Sequence, residues 1–235
     1  MRILALDTST LTGSVAVVDG DGRALAAIGG DPSAPSDRVV TLCQAALAEA
    51  GLAARDLDAI AVGAGPGSFT GLRIGLATGK GLAYAIARPL WLVSSLAALA
   101  HDLAVDEGAL IVPVLDARRG EVYAGFYRQV GATRVAVAPE VVLPPTALAD
   151  AIAAVAVDAH VVGDALDVHA SALAALPATV VVHRDGPRTP SALGVARAAL
   201  AGDRRDRLRD GAPTYIRPSE AEVKYPDGVP GALRR

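Results

Sequence analysis

Short apolar runs broken by turn residues set the pattern of the first thirty positions. Ile3-Leu-Ala-Leu6 stops at the polar stretch Asp7-Thr-Ser-Thr10, Ser14-Val-Ala-Val-Val18 follows, and Asp19-Gly-Asp-Gly22 leads into Arg23-Ala-Leu-Ala-Ala-Ile28. Runs of this length, bounded by Gly, Asp and Ser, predict a meander of three strands. After the loop Gly29-Gly-Asp-Pro-Ser-Ala-Pro35 the period lengthens. Val39, Val40, Leu42, Cys43, Ala46, Leu47 and Ala50 recur at helical spacing, with Ser36 and Asp37 as the cap and Gly51 as the stop. Ala59-Ile-Ala-Val62 reads as a strand feeding a glycine-rich turn and a helix through Ala87. Pro89-Leu-Trp-Leu-Val93 is the next strand, and Ser95 is placed to cap a helix to about Leu103.

The second half repeats this order more loosely. Leu110-Ile-Val-Pro-Val-Leu115 runs into Asp116-Ala-Arg-Arg-Gly-Glu121, and Val122-Tyr-Ala-Gly-Phe-Tyr127 follows, so strand, acidic turn and strand recur as in Leu4 to Val18. A third strand is predicted over Val135–Leu143, a helix over Thr146–Ala156, strands at His160–Gly163 and Thr179–His183, and a helix capped by Ser191 to about Ala201. The expectation is an α/β protein of two similar lobes, residues 1–105 and 106–218, with 219–235, rich in Gly, Pro and charge, as a flexible tail.

Gly63-Ala-Gly-Pro-Gly-Ser-Phe-Thr-Gly-Leu-Arg-Ile-Gly75 carries the most information. Gly63, Gly65 and Gly67 allow a tight turn that approaches its neighbours closely, and Pro66 stiffens it. Gly71, Gly75 and Gly79 then fall every four residues, on one helix face. Each costs roughly 1 kcal/mol against alanine, so the stripe implies a backbone packed hard against it. The run is not a dinucleotide fingerprint, because Ser68 stands at the third glycine position and residues 85–92 contain no Asp or Glu. Nor is it a phosphate-binding P-loop, since Gly79-Lys80 is followed by Gly81 within the helix.

Composition narrows the classes. Hydrophobic residues make up 52% and aromatics only 3%, so the core is built from Ala, Val and Leu. The net charge of −3 argues against strong nonspecific nucleic-acid binding. Cys43 is alone, which excludes a disulfide framework or cysteine metal cluster. His101, His160, His169 and His183 include no pair at the spacing that sets two imidazoles on one helix face, so no metal is expected and a metallopeptidase is disfavoured. No apolar run nears the roughly 20 residues of a membrane span, and Asp7 comes too early for a signal peptide, giving a soluble cytoplasmic protein as the expectation.

Asp7-Thr-Ser-Thr with Ser14-Val-Ala-Val, the run Gly65–Gly75, Asp116-Ala-Arg-Arg-Gly-Glu-Val-Tyr123 and Pro213-Thr-Tyr-Ile-Arg-Pro218 together resemble the bacterial TsaB (YeaZ) family over residues 1–218. The resemblance implies the two-lobed fold of actin, the Hsp70 ATPase domain and sugar kinases, with mixed sheets flanked by helices. It also implies a non-catalytic scaffold that activates TsaD, its catalytic paralogue, in threonylcarbamoyl transfer to adenosine 37 of tRNA. TsaE joins in a larger complex, tRNA is met only within the complex, and no cofactor is implied. The alternative is an ATP-dependent transferase or kinase of the same fold. One position departs from the family: Pro35 stands where a histidine is common, so a role resting on that imidazole is absent.

In this fold the first hairpin faces nucleotide phosphate and magnesium, which makes Asp7, Thr8 and Ser9 the candidate cofactor-binding residues, in degenerate form. The second hairpin carries Arg118 and Arg119 where a close-approach turn prefers small residues, and Asp116, Arg118 and Glu121 are candidates to pin the lobes by ion pairs. The family's helix pairing with TsaD, or with a second copy, carries over to Val39, Leu42, Leu47, Leu72, Gly75, Leu76 and Gly79 as the partner interface. The mixed-sign segment Asp203–Asp210 reads as solvated surface.

Overall fold

The computed structural model describes residues 1–29 and 39–217. The helix cap at Ser36 and Asp37, the substituted Pro35 and the tail 219–235 lie outside the described residues. The three-strand opening forms as β1 (Arg2–Asp7), β2 (Ser14–Asp19) and β3 (Ala24–Gly29), followed by α1 (Val39–Glu49), β4 (Ala59–Gly63), α2 (Phe69–Ala85), β5 (Leu90–Val93) and α3 (Ser95–Asp102). The second half comprises β6 (Leu110–Arg118), β7 (Glu121–Val130), β8 (Thr133–Leu143), α4 (Leu148–Ala153), β9 (Ala159–Val162), α5 (Ala165–Val168), α6 (Ala170–Leu173), β10 (Val180–Val182) and α7 (Ala192–Ala201).

Both halves build one sheet topology. The first sheet runs β3-β2-β1-β4-β5 and the second β8-β7-β6-β9-β10, with an antiparallel meander on one side and parallel strands on the other. Ile3–Leu6 of β1 and all of β4 are buried and read as continuous apolar runs for that reason. On the outer face of the first sheet, Val39, Cys43 and Ala46 of α1 and Leu76 and Ala83 of α2 pack over Leu4, Leu6, Val17, Ile60 and Val62. The outer face of the second sheet is covered by α4, α5 and α6 through Leu148, Ile152, Leu166 and Leu173.

The inner faces are covered crosswise. Helix α3 follows the first sheet in sequence, yet Leu96, Leu99, Ala100 and Leu103 cluster with Ile111, Leu115, Tyr123 and Tyr127 of the second. Helix α7 follows the second sheet, and Ala192, Val195, Ala196 and Ala199 cluster with Ile3, Ala5, Ala16, Ala61 and Trp91 of the first. The two helices meet at Gly194, where a Cβ would lie 2.3 Å from the Ala98 carbonyl oxygen. A division near 105 therefore separates the sheets but not the packing units. Two details differ from the sequence reading. Ser94, not Ser95, caps α3 by accepting from the Leu96 and Ala97 amides, and the short helices α5 and α6 carry no sequence signal strong enough to mark them.

The glycine stripe settles onto its own sheet. A Cβ on Gly71 would sit 2.0 Å from the Thr8 carbonyl oxygen, one on Gly75 2.2 Å from Thr8 Oγ1, and one on Gly79 2.4 Å from Val62 Cγ2. Gly81 has open space beside it. Gly81→Ala should thus stabilise by about 0.5–1 kcal/mol through helix propensity, whereas Gly71→Ala should cost about 1–3 kcal/mol or more through overpacking. Urea unfolding of the two variants checks the contrast. Equal effects would mean that the contact at Thr8 is not tight.

Candidate functional site

The first hairpin begins where β1 ends, and its side chains turn into the protein. Asp7 is 0% exposed. Its Oδ1 accepts from the Ser9 amide at 2.8 Å and Ser9 Oγ at 2.6 Å, and its Oδ2 accepts from Ser95 Oγ at 3.1 Å. Gly63 makes room for this carboxylate, since a Cβ there would lie 1.9 Å from Oδ2. Burial raises the Asp7 pKa, and the Ser9 and Ser95 hydrogen bonds pull it partly back. Thr8 Oγ1 donates to the Gly71 carbonyl at 2.7 Å, and the Ser68 amide donates to the Ser9 carbonyl at 2.6 Å. The start of α2 is seated on the turn that the sequence reading assigns to phosphate and magnesium. Two clefts of about 160 and 220 Å³ flank the crossing helices, and neither is lined by Asp7, Thr8 or Ser9. These three residues, expected as a degenerate cofactor-binding hairpin, are buried, and their side chains bond within the fold.

Ser95 hands the connection on. Directly before it, Ser94 Oγ donates to Glu140 of β8, which also accepts from the Tyr127 hydroxyl, so the head of α3 is tied to the second sheet. At the far end of α3, Asp102 accepts from the Ser191 amide at 2.8 Å and from Ser191 Oγ at 2.6 Å, holding the start of α7. Polar links at both ends of α3 thus join the two lobes.

The second hairpin is held by its own residues and by the chain end. Asp116 accepts from the Arg118 amide at 3.0 Å, pairs with Arg118 Nη1 at 3.2 Å and meets His169 Nε2 at 3.1 Å. These contacts stay inside the second lobe. Glu121 pairs with Arg217 Nη1 at 2.7 Å, and Arg217 Nη2 donates to the Ala117 carbonyl at 2.8 Å. Arg217 ends a strap that begins after α7. Asp206 accepts from the Leu90 amide at 3.0 Å, the Arg207 amide donates to the Leu90 carbonyl at 2.8 Å, and the Thr214 amide donates to the Ala64 carbonyl at 2.7 Å. Tyr215 stacks on Phe69, and its hydroxyl accepts from Arg73 Nε. Of the three expected lobe-pinning residues, Asp116 and Arg118 pair with each other and Glu121 pairs with the strap, whose own contacts at Leu90 and Ala64 reach the first lobe. The segment Asp203–Asp210 is likewise more than solvated surface, because Leu208 packs on the first lobe's core.

The expected partner-interface residues divide differently. Val39, Leu72 and Leu76 are buried, and Gly75 and Gly79 face β1 and β4, so these five are corrected to intramolecular packing. Leu42 and Leu47 are half-buried at the rim of the same core. What α1 and α2 turn outward is a different set, including Val40 at 51% and Tyr84 at 79% exposure, and the exposed Ala45, Ala77 and Gly81. Spacing along the chain also misses one pair: His160 Nδ1 and His183 Nε2 meet at 2.9 Å across β9 and the end of β10. Among the described residues, no group of three or more His, Cys, Asp or Glu is placed to hold a metal ion.

Two sheets of one topology, each opening on a hairpin and facing the other across two exchanged helices, define the two-lobed class that includes actin, the Hsp70 ATPase domain and sugar kinases. Similarity to the ethanolamine utilization protein EutJ from Carboxydothermus hydrogenoformans agrees on the fold alone, with a TM-score of 0.55 and 14% identity over 84% of this chain and 90% of that one. The profile of the family described as TsaD, tRNA N6-adenosine threonylcarbamoyltransferase, matches residues 34–224. YeaZ from Pseudomonas aeruginosa superposes with a TM-score of 0.75 and 32% identity, over 91% of this chain and 99% of that one. The tRNA threonylcarbamoyladenosine biosynthesis protein TsaB of Escherichia coli is 39% identical over 130 residues, which is 55% of this chain and 56% of that protein. The match thus spans little more than half the length of this curated relative. The chain belongs to the TsaB (YeaZ) family.

The helix crossing has a pH signature. Burial raises the Asp102 carboxyl from 3.8 to about 6 against the pull of Ser191 and Arg197. The folded state therefore holds this proton more tightly than the unfolded chain, and the resulting stability is lost as pH rises through about 4 to 6. Burial acts oppositely on neighbouring His101, lowering it from 6.5 to about 4, which costs stability as pH falls over nearly the same range. The two slopes offset in the native protein. Asp102→Asn removes one of them, so the variant should gain about 2–3 kcal/mol relative to the native protein between pH 4 and pH 7.5. Urea unfolding at both pH values measures this, and a pH-independent difference would refute the assignment.

Proposed function

We propose that this chain is a non-catalytic partner of its TsaD paralogue, working in the cytoplasm in threonylcarbamoyl transfer to adenosine 37 of tRNA. The sealed first hairpin is the observation that carries the reading. Asp7 is fully buried with both oxygens engaged, and α2 fills the space beside Thr8 and Ser9. An enzyme of this class needs that turn open to phosphate and a metal ion. The chain's contribution is then one of binding: it favours the active arrangement of TsaD by contacting it better than the inactive one.

The docking surface in this reading is the outward face of α1 and α2. Val40 and Tyr84 offer apolar contact, and small Ala77 and Gly81, four residues apart, let a second helix approach. The same face serves a homodimer when TsaD is absent, and TsaE joins only the larger assembly. Calorimetric titration of the purified chain with TsaD should give binding, while ATP with Mg²⁺ gives no heat. Ala77→Arg should weaken the TsaD complex at least tenfold without lowering the unfolding midpoint. Tight nucleotide binding by the isolated chain would overturn the proposal and restore the ATP-dependent enzyme.

A further inference from the structure

The cleft of about 220 Å³ beside the helix crossing is lined by an imidazole that the fold does not use. His101, in the last turn of α3, is only 8% exposed, and neither ring nitrogen has a hydrogen-bond partner among the described residues. A buried polar group left unpaired costs stability and gives the fold nothing in return. Burial, with the charges of Arg134 and Arg197, lowers its pKa to about 4. At neutral pH the ring therefore offers one N–H donor and one acceptor nitrogen.

The rest of the lining sets what that ring would meet. Leu92, Ala97 and Ala198 form an apolar wall. Arg134 lines the cleft as well, and its Nε and Nη2 donate to the Ala100 and Leu103 carbonyls at 3.1 and 2.9 Å. These bonds use two of the five N–H donors of a guanidinium, so Arg134 can cap the end of α3 and take a carboxylate at once. The C-terminal end of α7 completes the lining with Gly202 and Asp203. A helix C-terminus favours a cation, and the Asp203 carboxylate, whose Oδ1 accepts from the Arg205 amide at 3.0 Å, acts in the same sense. Arg134 and Asp203 thus bring opposite charges to one cleft without forming an ion pair with each other.

We infer that this cleft binds a small zwitterion, a free α-amino acid with an apolar side chain. The carboxylate meets Arg134, the ammonium meets Asp203 and the end of α7, and His101 bonds to the ligand between them. The side chain lies on Leu92, Ala97 and Ala198. At about 30 Å³ of liquid per water, 220 Å³ holds roughly seven waters, the space of a small amino acid. The site is independent of the function proposed above, since it needs no second protein. Its ligand touches both exchanged helices and so stabilises the folded crossing by mass action.

The probe is L-valine, titrated at neutral pH into the isotope-labelled full chain. NMR follows the His101 ring and the Thr133 and Gly202 amides, three residues of the lining. Isovalerate, which lacks the ammonium, and isobutylamine, which lacks the carboxylate, are the controls. L-Valine should shift all three signals saturably, and each half-molecule should bind about tenfold more weakly or worse. Arg134→Gln and Asp203→Asn should each weaken L-valine by a similar factor. If Arg134→Gln does not fold, Asp203→Asn, at an exposed position, decides: unchanged affinity there overturns the inference. His101→Leu should lose L-valine yet unfold at or above the native midpoint, because it removes an unpaired polar group. The absence of a saturable shift in the native chain overturns the inference. So does a half-molecule that binds as tightly as L-valine, or a His101→Leu variant that keeps native affinity or is less stable than the native chain.

Discussion

The contact on which the rest of the structure depends is that of α2 with the first hairpin, made without side chains on the helix. Gly71 and Gly75 let the helix descend until its backbone touches Thr8, and Thr8 Oγ1 donates to the Gly71 carbonyl. That fixes the turn in which Ser9 holds one oxygen of Asp7. The other oxygen fixes Ser95, the first residue of α3, and α3 covers the second sheet. A run of close contacts therefore leads from a glycine stripe on one lobe to the packing of the other. An alanine at Gly71 or Gly75 acts on the first link of that run, and its effect should reach beyond α2.

Exchange of α3 and α7 between the lobes makes them mutually dependent. Each inner sheet face is covered mainly by a helix from the other half of the chain, and the strap from Asp203 to Arg217 adds a further crossing. Polar links at both ends of α3 join the two lobes.

Much of the fold was legible in the sequence because the strands are continuous apolar runs and the breaks are Asp-Gly and Gly-Pro clusters. The repeated strand, acidic turn and strand at Leu4–Val18 and Leu110–Tyr127 revealed the duplication. Helical periodicity, however, says which face of a helix is apolar and not which sheet receives it, so the exchange of α3 and α7 was invisible. The same limit governed the glycine stripe. Its four-residue period announced a close approach, but an approach to a partner helix and one to Thr8 look alike in sequence. Asp7 was found for its acidity, whereas its bond to Ser95, 88 residues away, leaves no trace in local spacing. The His160–His183 contact depends on the register of two parallel strands, which no local spacing encodes.

The late position of α7 and the strap bears on how the protein is made. β1 to β5 leave the ribosome long before α7, residues 192–201, which covers most of the inner face of that sheet. At synthesis rates of about 5–20 residues per second, the intervening hundred or so residues take roughly 5–20 s. Through that interval Ile3, Ala5, Ala16, Ala61 and Trp91 present an uncovered apolar face. A chain truncated before Ala192 would carry the same exposed face permanently, and with it the tendency of such surfaces to associate.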